Sequence, residues 1–222
     1  MLTRIHVIGS GRVGTAVAGR LRQRGLELDS GDPDVVLLCV PDGAIADVAA
    51  AIAPGPWVAH VSGATPLSAL APHERRFGVH PLQTFTRGRG PEQLDGAWAA
   101  VTSDDDEGRA VGFSLAETLG LRPFALQEES RTLYHAGAVF VSNYLVTLHR
   151  AAELLFGSAG APPEALEPLM RRTIENHFEL TGPISRGDWA TLEAHRVAIH
   201  AERPELDELY ETLAGATLEL AT

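Results

Sequence analysis

Residues 4–14 read RIHVIGSGRVG, and this stretch decides the fold. A short apolar run at 4–8 meets the glycine-rich turn GSGRVG at 9–14, after which Val13, Val17 and Leu21 recur at helical spacing. The order is strand, glycine turn, helix. In that setting G-x-G-x-x-G has a mechanical meaning. Gly9 permits the tight turn, Gly11 leaves the backbone open to a pyrophosphate, and Gly14 lets the helix pack on the strand, with the helix amino terminus facing the anion. Ser10, Arg12 and Val13 fill the positions between and belong to the same candidate cofactor-binding turn. The competing reading is a glycine turn kept for packing alone.

Working outward, VVLLCV at 35–40 is apolar at every position, as in a parallel strand covered on both faces. Further strand patterns lie at 57–62, 76–80, 97–102 and 122–126, with helical patterns at 43–53 and 105–119 between them. The alternation predicts a doubly wound sheet whose ligand crevice lies at the strand carboxyl ends. After residue 127 the strand signals stop, and the patterns at 129–155, 163–178, from 188 onward and 205–220 are helical. The fold class expected is therefore α/β, a truncated Rossmann-like parallel sheet over 1–127, followed by an all-helical domain over 128–222. Apolar residues cover much of the first long helix (Ala136, Val139, Phe140, Leu145, Val146), which points to a bundle or subunit interface and hence to a homodimer.

The truncation is read from spacing. A complete dinucleotide site wants an acidic residue about 20 residues beyond the glycines, at the end of a second strand. Asp29 alone has that spacing, yet only SGDPD, 30–34, separates it from the buried strand at 35. A parallel crossover needs about 10–12 residues. The simplest path sends the chain from the first helix straight into 35–40, with Asp29 at the wrong end of the sheet and the usual second helix and third strand missing. The adenosine half would be clipped and the nicotinamide half kept.

Composition narrows the function. The chain has 222 residues, and Asp+Glu of 29 against Lys+Arg of 18 gives a net charge of -11, a poor match for nucleic acid or an anionic membrane. No lysine occurs, so no lysine chemistry is available. A single cysteine, Cys39, together with the lack of a signal-like start or a membrane-length apolar run, predicts a cytoplasmic protein without disulfides. The nine histidines follow no metal-ligand spacing, so no metal is expected.

Several strings in order, GSGRVG, VVLLCVPDGAI, HVSGA, GVHPLQTF, YHAGAVFVSNYLV and LTGPISRGD, resemble a bacterial family that joins a Rossmann-like domain to the helical domain of unknown function 2520. The resemblance implies an NADP-dependent oxidoreductase-like protein related to the 6-phosphogluconate dehydrogenase, β-hydroxyacid dehydrogenase and pyrroline-carboxylate reductase group. It also implies NAD or NADP as cofactor, a small-molecule substrate and a dimerising helical half. The short segment after the first helix departs from the family pattern.

Candidate chemistry gathers at the expected carboxyl edge. Pro41 and Asp42 end the central strand, either as a cofactor-side loop, which the resemblance implies, or as a capped strand stop. Ser62, beside Gly63, either presents a hydroxyl to substrate or forms a turn. His80, pinned by Pro81, either exchanges the proton that accompanies hydride transfer or hydrogen-bonds a loop. His135, Ser142 and Asn143, at i, i+7 and i+8, would form one polar stripe on the long helix, with Tyr134 as a further proton donor. The related dehydrogenases carry a catalytic lysine and asparagine on such a helix, and here His135 and Asn143 would have to substitute. Arg186 in GPISRGD either holds a substrate carboxylate or pairs structurally with Asp188, the expected cap of the next helix.

Two functions fit these residues. One is an NAD(P)-dependent oxidoreductase of a small carbonyl or imine acid. The other is a non-catalytic relative that binds a small ligand or partner without a dinucleotide.

Overall fold

A computed structural model describes residues 2–28 and 31–221. By contacts the chain divides into two compact units, 1–140 and 141–222. The first unit carries a seven-stranded sheet in the order β2-β1-β3-β4-β5-β6-β7. Its elements are β1 (Arg4–Ile8), α1 (Arg12–Gln23), β2 (Glu27–Leu28), β3 (Val35–Leu38), α2 (Ile45–Ala50), β4 (Trp57–His60), β5 (Arg76–Leu82), β6 (Trp98–Ser103), α3 (Asp106–Thr118), β7 (Arg122–Ala125) and α4 (Arg131–Val139).

The solid apolar run of β3 is explained by its two faces. Val35 and Leu37 join α1 and α3 in one core with Leu21, Phe77 and Leu115. Val36 and Leu38 point the other way, into a second core with Ile45, Val58, Leu67 and Leu70. Side chains alternate across a strand, so a sheet covered on both faces needs apolar residues at every position.

The expected sheet needs two corrections. The chain does not run straight from α1 to β3, because Glu27 and Leu28 first pair in parallel with Arg4 and Ile5, which makes β2 the edge strand. A strand of two residues rises only about 7 Å, so the six residues before Val35 can return without a crossover helix. Beyond β2 no further strand occurs among the described residues, and β3 lies directly on the other side of β1, as the clipped reading requires. Asp29 lies outside the described residues. The sheet is also mixed, since β6 pairs antiparallel with β5 and β7 follows β6 in parallel. The connection between β5 and β6 is a loop with a short 3-10 turn at Pro91–Leu94, which does not carry the chain back across the sheet as a helix would.

The second unit contains α5 (Leu145–Ser158), α6 (Leu166–Glu175), α7 (Trp189–Glu202) and α8 (Asp207–Leu220). Asp188 caps α7 as expected, accepting from the Thr191 N–H at 3.1 Å. Between α4 and α5 the helix widens into a π-helical turn, Phe140–Tyr144, which spans the division between the units. There i→i+5 bonding replaces i→i+4, so the i+7 and i+8 spacing of Ser142 and Asn143 from His135 no longer measures two α-helical turns. No helix of the described residues is long and apolar enough to cross a membrane.

Candidate functional site

The site is built on the carboxyl ends of β1, β3, β4 and β5 in the first unit. Gly9 has a φ of +119°, and a Cβ there would collide with the Cys39 carbonyl oxygen. A Cβ on Gly14 would strike the Gly9 carbonyl, so this glycine sets how closely α1 seats on the turn. Gly11 differs: a Cβ there would meet nothing within 4 Å. Two glycines are thus required by packing, and the third faces open space. Gly11 also begins α1, with no side-chain cap and no acidic residue in the first turn. The free N–H groups of that turn fit a dinucleotide's pyrophosphate, and Gly9, Ser10, Gly11, Arg12, Val13 and Gly14 are the residues that would hold it.

Beside this turn opens a cleft of about 450 Å³, whose lining includes Gly11, Pro41, Asp42, Gly63, His80 and His135. His80 and His135 line it, and Tyr134 is hydrogen-bonded to His80. The His80 Nδ1 lies 2.8 Å from the Tyr134 hydroxyl. The His80 and His135 rings stand 6.0 Å apart, edge to face. A Cβ on Gly63 would lie 2.7 Å from His135 Cδ2 and 2.8 Å from His80 Cε1, so only glycine admits both imidazoles.

Beneath the cluster, Arg131 is buried. It binds the Glu128 carboxylate through Nε and Nη2, both at 3.1 Å, and donates Nη1 to the Ser62 carbonyl at 3.2 Å. The other Glu128 oxygen accepts the Leu67 N–H at 2.9 Å. This pair joins the start of α4 to the end of β4 and the turn that follows it, and thereby positions Tyr134 and His135, one turn further on. Its charge acts on the rings. Burial, then the neighbouring His135 and Arg131, push the His80 pKa down to about 4, with Asp42 opposing. Burial pushes the Tyr134 hydroxyl up to about 12, with Arg131 opposing. At neutral pH both groups are uncharged, and each carries a proton that can be passed on.

Most of the first-unit candidates meet here: the glycine turn, Pro41, Asp42, Ser62, His80 and His135 all border one cleft. Ser62 is engaged locally, its Oγ donating to Thr65 Oγ1 at 2.9 Å and accepting from the Ala64 and Thr65 N–H groups. Ser142, Asn143 and Arg186 belong to the second unit. There Ser142 Oγ donates to Asn143 Oδ1 at 3.0 Å, and Arg186 is exposed beside the Asp188 cap. Among the described residues no group of three or more His, Cys, Asp or Glu side chains is placed to hold a metal ion.

Sequence reasoning missed Arg131, Glu128, His60 and Arg87. Glu128 and Arg131 stand at i and i+3, a spacing that marks a helical pair but does not disclose its burial. His60 had a signal, a lone imidazole inside the apolar run WVAHV. It is fully buried, among the described residues neither ring nitrogen has a hydrogen-bond partner, and burial followed by the charge of Arg131 lowers its pKa to about 3.

The fold is a Rossmann-like α/β domain followed by a helical unit. Residues 97–217 match the family described as Domain of unknown function (DUF2520), and the chain belongs to that family. No curated protein matches the chain by sequence. Among solved structures the chain is similar to the Bacteroides fragilis protein BF3122, which carries a provisional NADP oxidoreductase designation. The two are 23% identical over 98% of each chain, with a TM-score of 0.81. Protein TM1727 from Thermotoga maritima is 22% identical over 98% of this chain and 97% of its own, with a TM-score of 0.78. A reductive aminase from Aspergillus terreus, solved with NADPH and ethyl levulinate, is 16% identical over 97% and 92%, with a TM-score of 0.68. At these identities the likeness establishes the shared fold.

Proposed function

We propose that this chain is an NAD- or NADP-dependent oxidoreductase acting on a small carbonyl or imine acid. The observation that carries the reading is the shared cleft: the glycine turn with its open Gly11 borders the same space as His80 and His135, and Tyr134 is hydrogen-bonded to His80. A bound nicotinamide would supply the hydride. The chain's own part is to hold phosphate at the first turn of α1, shape the pocket over Gly63, and hold a proton at His80. With Tyr134 donating to Nδ1, the ring proton of His80 sits on Nε2, beside the Gly63 backbone and toward the cleft. From there it can be given to a substrate oxygen or nitrogen, and Tyr134 lies behind it as a second donor. The named structural relatives support the direction of this reading, since they include proteins described with NADPH and oxidoreductase titles.

The test is titration with NADH and NADPH, followed by fluorescence and calorimetry, against the Gly11→Asp variant. Open space around Gly11 means that the new carboxylate enters the phosphate position without disturbing the core. Saturable binding that the variant loses supports the reading, and a parent protein that binds neither nucleotide overturns it in favour of a ligand-binding relative without a dinucleotide.

The same reading includes a homodimer formed through the second unit. Leu166 and Ile199 are that unit's buried apolar residues among those described, while Val141, Val146, Phe178 and Leu220 are between 60% and 80% exposed. A unit with so small a core needs a partner surface to remain folded. Sedimentation equilibrium at micromolar concentration tests this, and a monomer there removes it.

A further inference from the structure

We propose that Arg12 and Arg87 form a clamp for the phosphate attached to the nicotinamide ribose. This rests on the oxidoreductase reading above and names the chemical group that this part of the site recognises. A second cavity of about 290 Å³ lies between the first turn of α1 and the loop that follows β5, and it includes Arg12, Thr86, Arg87 and Arg89 in its lining. Gly11, Arg12 and Arg87 also line the catalytic cleft, so the two spaces meet at these residues.

The loop is built rather than loose. Buried Gln93 accepts from the Thr86 N–H at 2.8 Å and donates to the Gly90 carbonyl at 3.1 Å, closing the segment that presents Arg87. The 3-10 turn behind it is fixed to α1, where Arg20 donates to the Pro91 carbonyl at 2.9 Å and pairs with Asp95 at 2.7 Å. Pro91 also packs against Gly19 so closely that a Cβ there would come within 2.7 Å.

Charge separates the three arginines. Arg89 pairs with Glu92 at 3.4 Å. Arg12 donates to the Phe85 carbonyl at 3.4 Å, and among the described residues neither Arg12 nor Arg87 has a carboxylate partner. Two guanidinium groups without carboxylate partners among the described residues, on a chain of net charge -11, line one cavity beside an open glycine and an uncapped helix start and match an anionic phosphate.

The experiment compares NADH (NADPH where the parent prefers it), reduced nicotinamide mononucleotide and the corresponding riboside, which lacks the phosphate, on the parent, Arg87→Ala and Arg109→Ala. Loss of a charged hydrogen bond predicts that Arg87→Ala weakens NADH by about tenfold to a hundredfold. In the parent the mononucleotide binds more tightly than the riboside, and Arg87→Ala erases that difference. Arg109→Ala, which removes an exposed cation of α3 paired with Asp106 and outside both cavities, leaves that affinity within about twofold. If the dinucleotide binds the parent and Arg87→Ala alike, the clamp is wrong and the oxidoreductase reading stands. If the parent binds neither NADH nor NADPH, both fall together.

Discussion

Mild acid should destabilise the first unit, and one buried imidazole should account for much of the loss. His60 is fully buried, its ring nitrogens have no hydrogen-bond partner among the described residues, and its pKa is lowered to about 3, chiefly by burial and then by the charge of Arg131 and the neighbouring His80. An unfolded histidine titrates near 6.5. Between those values the unfolded chain binds a proton that the folded chain refuses, so stability falls as pH falls through the window from about 6.5 to 3. At pH 5 the unfolded ring is almost fully protonated and the folded ring is not, which is worth about 2 kcal/mol from His60 alone. His80, lowered to about 4, pulls in the same direction. The assay is urea unfolding at pH 7.5, 6 and 5, read by Trp57, which is 4% exposed in the core, with the exposed Trp98 and Trp189 replaced by Phe. The test variant is His60→Leu, which keeps side-chain volume and removes the titration. Its loss of stability between pH 7.5 and 5 should be smaller than the parent's by about 2 kcal/mol. Equal pH dependence in the two proteins would refute the argument, because the ring would then be reaching solvent or a partner when folded.

Three further outcomes follow from the same site. Gly63→Ala sets a methyl group against His80 and His135 and should cost about 1–3 kcal/mol by overpacking, read by thermal unfolding, together with loss of turnover once a substrate is in hand. Tyr134→Phe deletes the hydrogen bond to His80 Nδ1 at a cost of about 1 kcal/mol; the His80 ring resonances should move, and turnover should fall by about a hundredfold if the pair relays a proton. Glu128→Gln strands the buried Arg131 guanidinium and should cost about 3–5 kcal/mol, whereas adding Arg131→Met should restore part of the loss, as chemical denaturation of the single and double variants would show.

What could be read in the sequence and what could not divide along a physical line. Local signals survived: the glycine turn, the doubly covered strand, expected at 35–40 and ending at Leu38, and the Asp188 cap each depend on a few adjacent residues. Signals that depend on pairing partners did not. Nothing in AWAAVT says that β6 runs antiparallel to β5, because alternation is the same in both directions. Two residues, Glu27 and Leu28, are too few for a strand pattern, so the edge strand was invisible although the clip beyond it was not. The site shows the same split. His80 was legible because a histidine before a proline at a strand end is conspicuous, whereas its environment is set by Arg131 and Glu128, some fifty residues away, which look from the sequence like an ordinary surface helix pair. Burial decides the difference: in water such a pair contributes at most about 1 kcal/mol, but with Arg131 only 3% exposed, removing Glu128 leaves a guanidinium with little solvent to hold it. That buried cation also helps hold His60 and His80 neutral, so the residue least visible in the sequence contributes to the protonation state of the most visible one.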